Sequence, residues 1–432
     1  MKRYDGYYNT VVGHGMRQRD PYMSYRYSGR NSHVTFEEAS DLFTYNGIAR
    51  KIIKAPADEA VRAGFELRDG ATPLMQDADI QSVLEDLRVQ EVFSAALAWD
   101  RLYGGAAILM LVNDGGTLED PLNEEQIKAV EGLEVFEPPE IQVYESYYYD
   151  DPYNPNYGKP EFYTLIGYNG NSFLVHESRL LVFKGGVIPT QKRRMRDGWG
   201  GKVLDELREN LLQYSAGNSL ALMALSRMSQ GILKLDGLTN NLENEETEKF
   251  VQARLQLIDM VRHLMNTIAI DKEDDYDLKN MSLAGVKDII EQFETALSAA
   301  SDIPVTVLFG RSPGGLNSTG KADMENYYNL VRRIQERVLK PKLVRLIDLL
   351  QKAKAVMTLP EHYVLEFKPL WLPTEKEQAE VENLKAQASE HDAGAIQHLV
   401  DIGAISADDA RETVRQAGRI KVGEGIEDRP ET

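Results

Sequence analysis

Residues 303–328 read IPVTVLFGRSPGGLNSTGKADMENYY, and this stretch decides between two folds. Within it, Gly315 to Lys321 spells G-x-x-x-x-G-K, which is close to a phosphate-binding P-loop. A P-loop places a Ser or Thr hydroxyl on Mg²⁺ directly after the Lys, and Ala322 at that position offers no such ligand. We therefore favour a second interpretation, a flexible loop rich in Gly, Ser and Asn between two helices.

The residues after this loop predict the longest helix of the chain, over 322–355. At 1.5 Å per residue such a helix would span roughly 50 Å. Ser318 or Thr319 is expected to cap its first turn, because hydroxyl side chains satisfy free backbone N–H groups there. Pro341 lies inside the pattern and predicts a kink, since proline lacks an N–H group and clashes with the preceding turn.

The overall composition is that of a globular protein of one to three domains, with 432 residues, 42% hydrophobic and 27% charged. No run approaches the ~20 apolar residues of a membrane helix, and the N-terminus lacks the apolar segment of a signal peptide. The absence of cysteine excludes disulfides and Cys-ligated zinc, and it fits a reducing cytoplasm. We expect no membrane attachment.

The charge is strongly acidic and unevenly placed. A net charge of −19 argues against a protein that grips nucleic acid by neutralising phosphates. Residues 1–33 carry six basic and two acidic side chains, a net of +4, whereas residues 375–432 carry 14 acidic and 7 basic side chains, a net of −7. An acidic surface lets DNA slide because it repels phosphate, and it also serves solubility. The composition alone leaves both interpretations open.

Apolar periodicity predicts an α+β layout. The predicted segments are a helix over 35–65 with a capping box at Thr35 and Glu38, a helix and then a buried strand over 77–112, strands at 161–166 and 179–183, helices over 201–230 and 285–301, and a strand at 363–367. Gly217 is the expected weak point of helix 201–230, because a mid-helix Gly costs ~1 kcal/mol relative to Ala.

A compact insert, residues 231–284, separates the helices 201–230 and 285–301. It is predicted to hold a helix near 245–266 between short strands. One face of that helix is polar, and the basic side chains of the insert that we single out are Lys249, Arg254, Arg262 and Lys279. This face is either a docking surface or simply solvated.

No constellation of residues indicates catalysis or metal binding. His176 could act as a base, but the sequence contains no G-x-S-x-G elbow and no Cys with which it could pair. A hydrogen-bonding role at the start of a strand is the better interpretation. The acidic run at 271–275 is better explained as a solvated turn than as a cation site. We expect no enzyme activity and no cofactor.

Several stretches occur in a specific order and spacing: YNGIARKII at 45–53 with Pro56 and Ala57, RLYGGAAI at 101–108, YGKP at 157–160, HESR at 176–179, Trp199 and Gly200, Ile303 and Pro304, LFG at 308–310, GGLNSTG at 314–320, Tyr327 and Tyr328, Gln335, and Pro341. Together they resemble the bacteriophage portal proteins, in the branch that is sometimes fused to an anti-CBASS nuclease. The match covers roughly residues 41–372. The fused nuclease should add paired His-x-Thr/Ser motifs, and the tail here has no such pair.

The resemblance implies a portal-type subunit of α+β class, whose parts can be laid on the predicted segments. They are a flexible basic arm (1–33), a wing (34–200), a stem helix (201–230), a clip (231–284), a second stem helix (285–301), a tunnel loop (302–321), a long kinked wing helix with a strand (322–373) and a helical crown (374–432). Such subunits assemble into a ring.

For function, the resemblance implies a channel at one capsid vertex, usually of twelve subunits, through which double-stranded DNA is packaged and ejected. The expected partners are the terminase large subunit, scaffold and major capsid proteins, and neck or adaptor proteins. The expected location is the virion, with assembly in the host cytoplasm. Two alternatives stay open, a P-loop packaging ATPase built on Gly315 to Lys321 and a relative of the anti-defence nuclease.

The resemblance gives the opening loop a role as the segment that faces moving DNA. Its glycines, Gly314 and Gly315 among them, would keep the backbone compliant. The remaining candidate residues of the loop are Arg311 and Lys321, which could touch phosphate transiently, and Asn317, Ser318 and Thr319, which offer hydrogen bonds without fixed charge. The clip residues Lys249, Arg254, Arg262 and Lys279 would face the motor and later the neck.

Overall fold

The computed structural model describes most of the chain. The described residues are 33–69, 72–74, 77–144, 147–226, 229–234, 275–280, 285–311, 320–356, 359–360 and 362–371, with single positions between 379 and 398. Contacts divide the chain into two units, Met1–Lys368 and Pro369–Thr432. In the second unit the described positions from 379 to 398 are helical, and Gln387 Nε2 donates to Asn383 Oδ1 at 3.2 Å.

The first unit mixes helices and antiparallel sheets, which confirms the predicted α+β class. Its helices are α1 (Phe36–Tyr45), α2 (Gly47–Arg62), α3 (Asp77–Asp86), α4 (Val89–Tyr103), α5 (Thr190–Arg194), α6 (Val203–Ser226), α7 (Val286–Ser301), α8 (Val305–Phe309), α9 (Lys321–Ile334) and α10 (Lys340–Lys352). Its strands are β1 (Phe65–Asp69), β2 (Thr72–Pro73), β3 (Ala106–Asn113), β4 (Ala129–Phe136), β5 (Ile141–Gln142), β6 (Phe162–Ile166), β7 (Ser172–His176), β8 (Leu180–Phe183), β9 (Ser229–Lys234), β10 (Asp275–Asn280) and β11 (Tyr363–Phe367).

The first predicted helix is two helices, because Asn46 interrupts it. Thr35 caps α1 as predicted, with its side chain accepting from the Glu38 backbone N–H at 3.1 Å. Asn46 adopts an extended conformation, and its side-chain oxygen accepts from the N–H groups of Ile48 and Ala49, each at 3.0 Å. An Asn side chain in this position replaces the missing helical partners of the next turn, so α2 starts anew.

Strand β3 lies at the centre of the main core. It pairs antiparallel with β4 on one side and with β8 on the other, and its first five residues are buried, as predicted. Helix α4 packs against this sheet, with Phe93 against Phe183 at a ring separation of 6.3 Å. A second sheet has the order β5-β6-β7, and its buried residues share one apolar cluster with Leu109 and Trp199.

Six glycines from three segments lie together, and we call this cluster the glycine junction: Gly104, Gly105, Gly185, Gly186, Gly200 and Gly201. The Gly200 N–H donates to the Gly104 carbonyl at 2.8 Å, and Gly186 and Gly201 exchange two backbone bonds of 2.9 and 3.1 Å. A Cβ on Gly200 would lie 2.0 Å from the Lys184 carbonyl oxygen. Only glycine, which has no Cβ, permits three backbone segments to approach so closely.

Helices α6 and α7 pack against each other, and Gly217 of α6 lies at their contact. A Cβ on Gly217 would lie 2.8 Å from the Phe293 ring. The sequence suggested that Gly217 weakens this helix, and that interpretation was incomplete. The glycine removes the side chain that would hold the two helices apart, so its propensity cost is offset by packing. The antiparallel strands β9 and β10 lie between the two helices in the sequence.

The longest predicted helix is interrupted in its middle. Helix α9 passes into a π-helical turn, Gln335–Leu339, which passes directly into α10. Pro341 is the second residue of α10, so the break precedes the proline that was expected to disturb the helix. The buried Gln335 donates from Nε2 to the Ala60 carbonyl at 2.8 Å, which ties the turn to α2.

The unit closes with β11, which pairs antiparallel with β1 from Phe65↔Phe367 to Asp69↔Tyr363. The predicted strand at 363–367 is therefore confirmed. Because β1 follows α2 and β11 follows α10, this pairing brings the beginning and the end of the first unit together. Among the residues that the structure describes, no helix has the length and apolar character needed to cross a membrane.

Candidate functional site

The loop singled out by the sequence follows α8, and a sharp corner at Asp302 to Pro304 joins α8 to α7. Asp302 ends α7 in the left-handed conformation, with φ of 56°. The Ser298 hydroxyl donates to the Ile303 carbonyl at 2.6 Å, which fixes the turn. Pro304 then begins α8, and Gly310 ends it with φ of 70°. Short, capped elements of this kind set the direction in which the chain continues.

Arg311 is bound at this corner by two carboxylates of α7. Its guanidinium lies 2.8 Å from a Glu291 carboxylate oxygen and also pairs with Glu294. The pairing is partly solvated, since the Arg311 side chain is 43% exposed. Arg311 was predicted to contact moving DNA. In the single subunit it ties the residue after α8 to α7.

The loop ends at Gly320, where α9 begins beside α8. Gly320, with φ of 65°, is the N-cap of α9 and provides no side-chain cap. Ser318 and Thr319, which were expected to cap this helix, lie outside the described residues. The Thr306 hydroxyl of α8 lies 3.9 Å from the Met324 sulfur of α9. The loop thus begins and ends on adjacent helices.

The P-loop alternative lacks its supporting architecture. A P-loop connects a β-strand to a helix, so that the strand end and the helix N-terminus converge on the phosphates. Here the element before the loop is the helix α8, and α8 is in turn preceded by α7. Within the described ranges, no group of three or more His, Cys, Asp or Glu side chains could hold a metal ion.

The structure describes only some of the candidate residues. Arg311 ends a described segment and Lys321 is the first residue of α9. Lys279 lies on β10, opposite Gln230. The others lie outside the described residues: Gly314, Gly315, Asn317, Ser318 and Thr319 of the loop, and Lys249, Arg254 and Arg262 of the insert.

The loop's two anchoring helices also border an open groove. It has a volume of about 1110 Å³ and lies between α2 and α4 on one side and α8 and α9 on the other. Its aromatic and sulfur-containing lining residues are Phe43, Trp99, Met324, Tyr327 and Tyr328.

Arg101 of α4 joins this helix to α2. Its guanidinium donates to the carbonyls of Ile52 and Ile53, and burial lowers its pKa to about 10.

The start of α6 is fastened to Val34, which precedes α1. The Asp205 carboxylate accepts from the Val34 N–H at 2.8 Å and pairs with Arg196 at 2.7 Å. The Lys202 ammonium donates to the Val34 carbonyl at 2.7 Å and lies over the Phe36 ring. Burial lowers the Lys202 pKa to about 8. The backbone N–H and carbonyl of Val34 are therefore both bound, the first by Asp205 and the second by Lys202.

Asp100 is a buried acidic residue that the sequence patterns did not single out. Its carboxylate is buried and accepts from the Gly185 N–H at 2.6 Å, inside the glycine junction. Burial raises its pKa to about 6, against the lowering effects of that hydrogen bond and of the charges on Lys342 and Arg101. Three Gly-Gly doublets, at 104–105, 185–186 and 200–201, were the available signal for this cluster.

His176 has the hydrogen-bonding role that was expected, at the end of a strand instead of the start. It is the last residue of β7 and is buried. Its Nδ1 lies 2.9 Å from the Ser178 hydroxyl and accepts from the Ser178 N–H at 3.2 Å. Nearby, the fully buried Arg179 pairs with Asp114 at 2.8 Å. These bonds hold the turn between β7 and β8.

A family model described as "Phage portal protein" matches residues 37–391. The chain belongs to the phage portal protein family. This confirms the resemblance proposed from the sequence.

Individual relatives are distant. An "Uncharacterized protein" of Haemophilus influenzae is 28% identical over 350 residues, covering 81% of this chain and 77% of that protein. An "Anti-CBASS protein Acb1" of Caulobacter sp. is 26% identical over 372 residues, covering 83% of this chain. The matched portion is 58% of the length of that relative.

Among solved structures, the neck of an empty GTA particle, computed with C6 symmetry, is similar at 15% identity. The alignment covers 88% of this chain and 93% of that chain, with a TM-score of 0.46.

Proposed function

We propose that this protein is the subunit of a ring-shaped portal in a phage particle, through which double-stranded DNA enters and leaves the capsid. The observation that carries the proposal is the match of the portal family model over residues 37–391. Head-to-tail contacts between identical subunits produce a ring when the rotation from one subunit to the next closes on itself. Twelve copies are the number expected for this family.

In this proposal α6 and α7 are the stem, and residues 312–319 are the part of the tunnel loop that meets DNA. The stem is stiffened by the close contact at Gly217 and Phe293. The loop is fastened at both ends, by Arg311 to α7 and by Gly320 at the start of α9. A fixed base with a compliant tip restrains DNA sterically while making few lasting bonds.

The charge of the loop base supports weak contact with DNA. Arg311 is held by Glu291 and Glu294 of its own subunit, so a phosphate has to displace a carboxylate to bind it. Such an exchange gives brief contacts, which suits a sliding polyanion. Gly314, Gly315, Asn317, Ser318 and Thr319 add no fixed charge, and Lys321 supplies one.

The remaining parts of the proposal concern partners. The insert, with Lys249, Arg254, Arg262 and Lys279, would dock the terminase large subunit and afterwards neck or adaptor proteins. Scaffold and major capsid proteins would surround the wing. The ring would reside in the virion and assemble in the host cytoplasm. The proposal requires neither a cofactor nor catalysis.

Native mass spectrometry and electron microscopy of the purified full chain test the ring. The expected result is a closed ring of about 0.6 MDa, or twelve copies of 48.7 kDa, with an axial hole. ATP turnover by a stable monomer or dimer, abolished by Lys321→Ala, would contradict the proposal and support the P-loop alternative. The same variant serves as the control, because a portal ring should assemble without Lys321.

A further inference from the structure

A cluster of positive charge lies near the root of the stem, in a chain whose net charge is −19. We call it the basic surface and define it by Lys159, Lys184, Lys192, Arg193 and Arg194. Three segments contribute to it: the tyrosine-rich loop 147–160, the residues after β8, and the segment 189–198 that contains α5.

Backbone and side-chain contacts hold these segments together. Gly186 and Gly201 form an isolated β-bridge, which joins the residues after β8 to the entrance of the stem. The Gly198 N–H donates to the Arg193 carbonyl at 3.0 Å, which closes the segment around α5. The Tyr148 hydroxyl lies 3.7 Å from where a Gly198 Cβ would stand, so the tyrosine-rich loop borders that segment.

Within the cluster, like charges are held close to each other. Partial burial of the Lys184 ammonium lowers its pKa, and the neighbouring charges of Lys159 and Arg193 lower it further. Glu177 acts in the opposite direction, but its carboxylate already accepts hydrogen bonds from Tyr149 and Asn156. A fold gains no stability from gathering like charges, so an external anionic partner is the simplest physical reason for them.

The basic side chains of α5 lack anionic partners within the subunit. In the described part of the chain, no ion pair joins Lys192, Arg193 or Arg194 to a carboxylate, whereas Arg196, two residues further, pairs with Asp205 at 2.7 Å. The Nε of Arg193 is shielded from solvent, and no acceptor among the described residues reaches it. A buried donor without an acceptor costs free energy until a partner supplies one.

Exposed apolar side chains flank the same charges. Val187 is 96% exposed and Met195 is 70% exposed, on either side of α5. Tyr153, on the tyrosine-rich loop, is 94% exposed. Tyr, Met and Arg are enriched in the centres of protein interfaces. A phosphate backbone would leave Val187 and Met195 in water, so the composition favours a protein partner over nucleic acid.

We propose that the basic surface binds an acidic face of the neighbouring copy of this chain. This inference rests on the proposed ring and names one side of its subunit contact. Copies with a net charge of −19 repel each other, and a ring closes only if each copy presents complementary faces to its two neighbours. With the basic surface on one flank, the predominantly acidic remainder of the next subunit supplies the complement.

The test is a triple charge reversal, Lys192→Glu with Arg193→Glu and Arg194→Glu, in the full-length chain. The fraction of rings is measured by native mass spectrometry and mass photometry over a range of salt concentrations. We expect the wild-type ring to weaken as salt rises, because salt screens the contact. We expect the triple variant to lose rings by about ten-fold or more at physiological salt, because like charges would then face each other.

A matched control carries the same change of charge elsewhere. Arg332, Arg333 and Arg337 are exposed and, in the described part of the chain, likewise have no ion pair to a carboxylate. Their triple reversal to Glu should leave the ring intact. A second variant, Val187→Ser with Met195→Ser, tests the apolar part of the contact without altering charge and should also weaken the ring. Circular dichroism melting verifies that each variant is folded.

The outcomes separate the inference from the proposed function. Failure of the wild-type chain to form rings under any condition would count against the proposed function itself. If wild-type rings form and the Lys192–Arg194 reversal leaves them unchanged, the inference is overturned and the portal proposal stands. Equal loss in both triple variants would reveal a general charge effect and overturn it too. Intact rings that lose affinity for a fluorescent DNA duplex would assign the surface to nucleic acid instead.

Discussion

The glycine junction and the base of the loop each fasten one chain segment to another, and they do so by different means. At the junction, backbone meets backbone, and the buried Asp100 carboxylate accepts from the Gly185 N–H at 2.6 Å. At the loop base, the partly exposed Arg311 is bound by Glu291 and Glu294. The first attachment has no room for adjustment, whereas the second can exchange partners with solvent or ligand.

Gly200→Ala should produce the largest effect, because it attacks the rigid attachment directly. The new Cβ would stand 2.0 Å from the Lys184 carbonyl and 2.7 Å from that of Gly186. Neither neighbour is the end of a flexible side chain. We expect a loss of about 3 kcal/mol or more in the free energy of unfolding, measured by urea denaturation.

Gly47→Ala is the control for this change. No atom lies within 4 Å of a Cβ at Gly47, which is the first residue of α2. Alanine there should leave stability within about 1 kcal/mol of the wild type, on the stabilising side, because alanine favours helix. Equal losses for both variants would mean that the close packing at the junction does not govern stability.

Asp100→Asn tests the electrostatic side of the junction. A folded-state pKa of about 6, above the ordinary 3.8, means that the folded chain binds a proton more tightly than the unfolded one. Wild-type stability should therefore rise as pH falls from about 7 to 4, and Asn should remove that rise. At pH 8 the variant should be more stable by about 2 kcal/mol, as measured by denaturation at several pH values. A wild-type curve that is flat over this range would contradict the assignment.

Gly217→Ala tests an intermediate case, the contact between α6 and α7. The Cβ would meet the Phe293 ring at 2.8 Å, while alanine recovers about 1 kcal/mol of helix propensity. We expect a net loss of about 1 kcal/mol. Phe293→Leu in the same chain should reverse the sign, because a smaller side chain makes room for the methyl group. Additive losses in the double variant would show that the two residues do not touch in solution.

Arg311→Ala should have the smallest effect on global stability, below about 1 kcal/mol, because the ion pairs are partly solvated. The effect should be local instead. Amide hydrogen exchange at residues 305–311 should accelerate in the variant, and added salt should produce part of the same change in the wild type. Arg311→Lys should fall between the two. An unchanged exchange rate in the alanine variant would show that the carboxylates do not hold the loop base.

Local patterns in the sequence predicted the elements whose signal is local. The capping position at Thr35, the buried strand at 106–112 and the strand at 363–367 are all present, since capping and periodicity are properties of neighbouring residues. Contacts between distant segments could not be read in the same way. The pairing of Asp100 with Gly185 spans 85 residues, and only the repeated Gly-Gly doublets hinted at it.

Gly217 also shows that local sequence patterns do not predict contacts between distant segments. A glycine in the middle of a helix is unfavourable by local propensity. The reason for Gly217 is its packing against Phe293, which lies far along the chain. The candidate loop residues were chosen by composition and by resemblance, and composition cannot say which partner an arginine takes. Arg311 was expected to serve DNA, and its carboxylate partners on α7 became visible only when the helices were placed.

The π-helical turn in the long helix acts as a phase correction. The buried residues Tyr327, Val331, Gln335, Leu339 and Leu343 recur every four positions, and a pure α-helix would rotate such a row by about 40° at each step. A turn closed by i→i+5 bonds contains more residues and rotates the row backwards. One such turn offsets part of that drift, and the buried row continues as far as Leu343. The same five residues also carry the hydrogen bond from the Gln335 amide to the Ala60 carbonyl, so the phase of the long helix and its attachment to α2 depend on one turn.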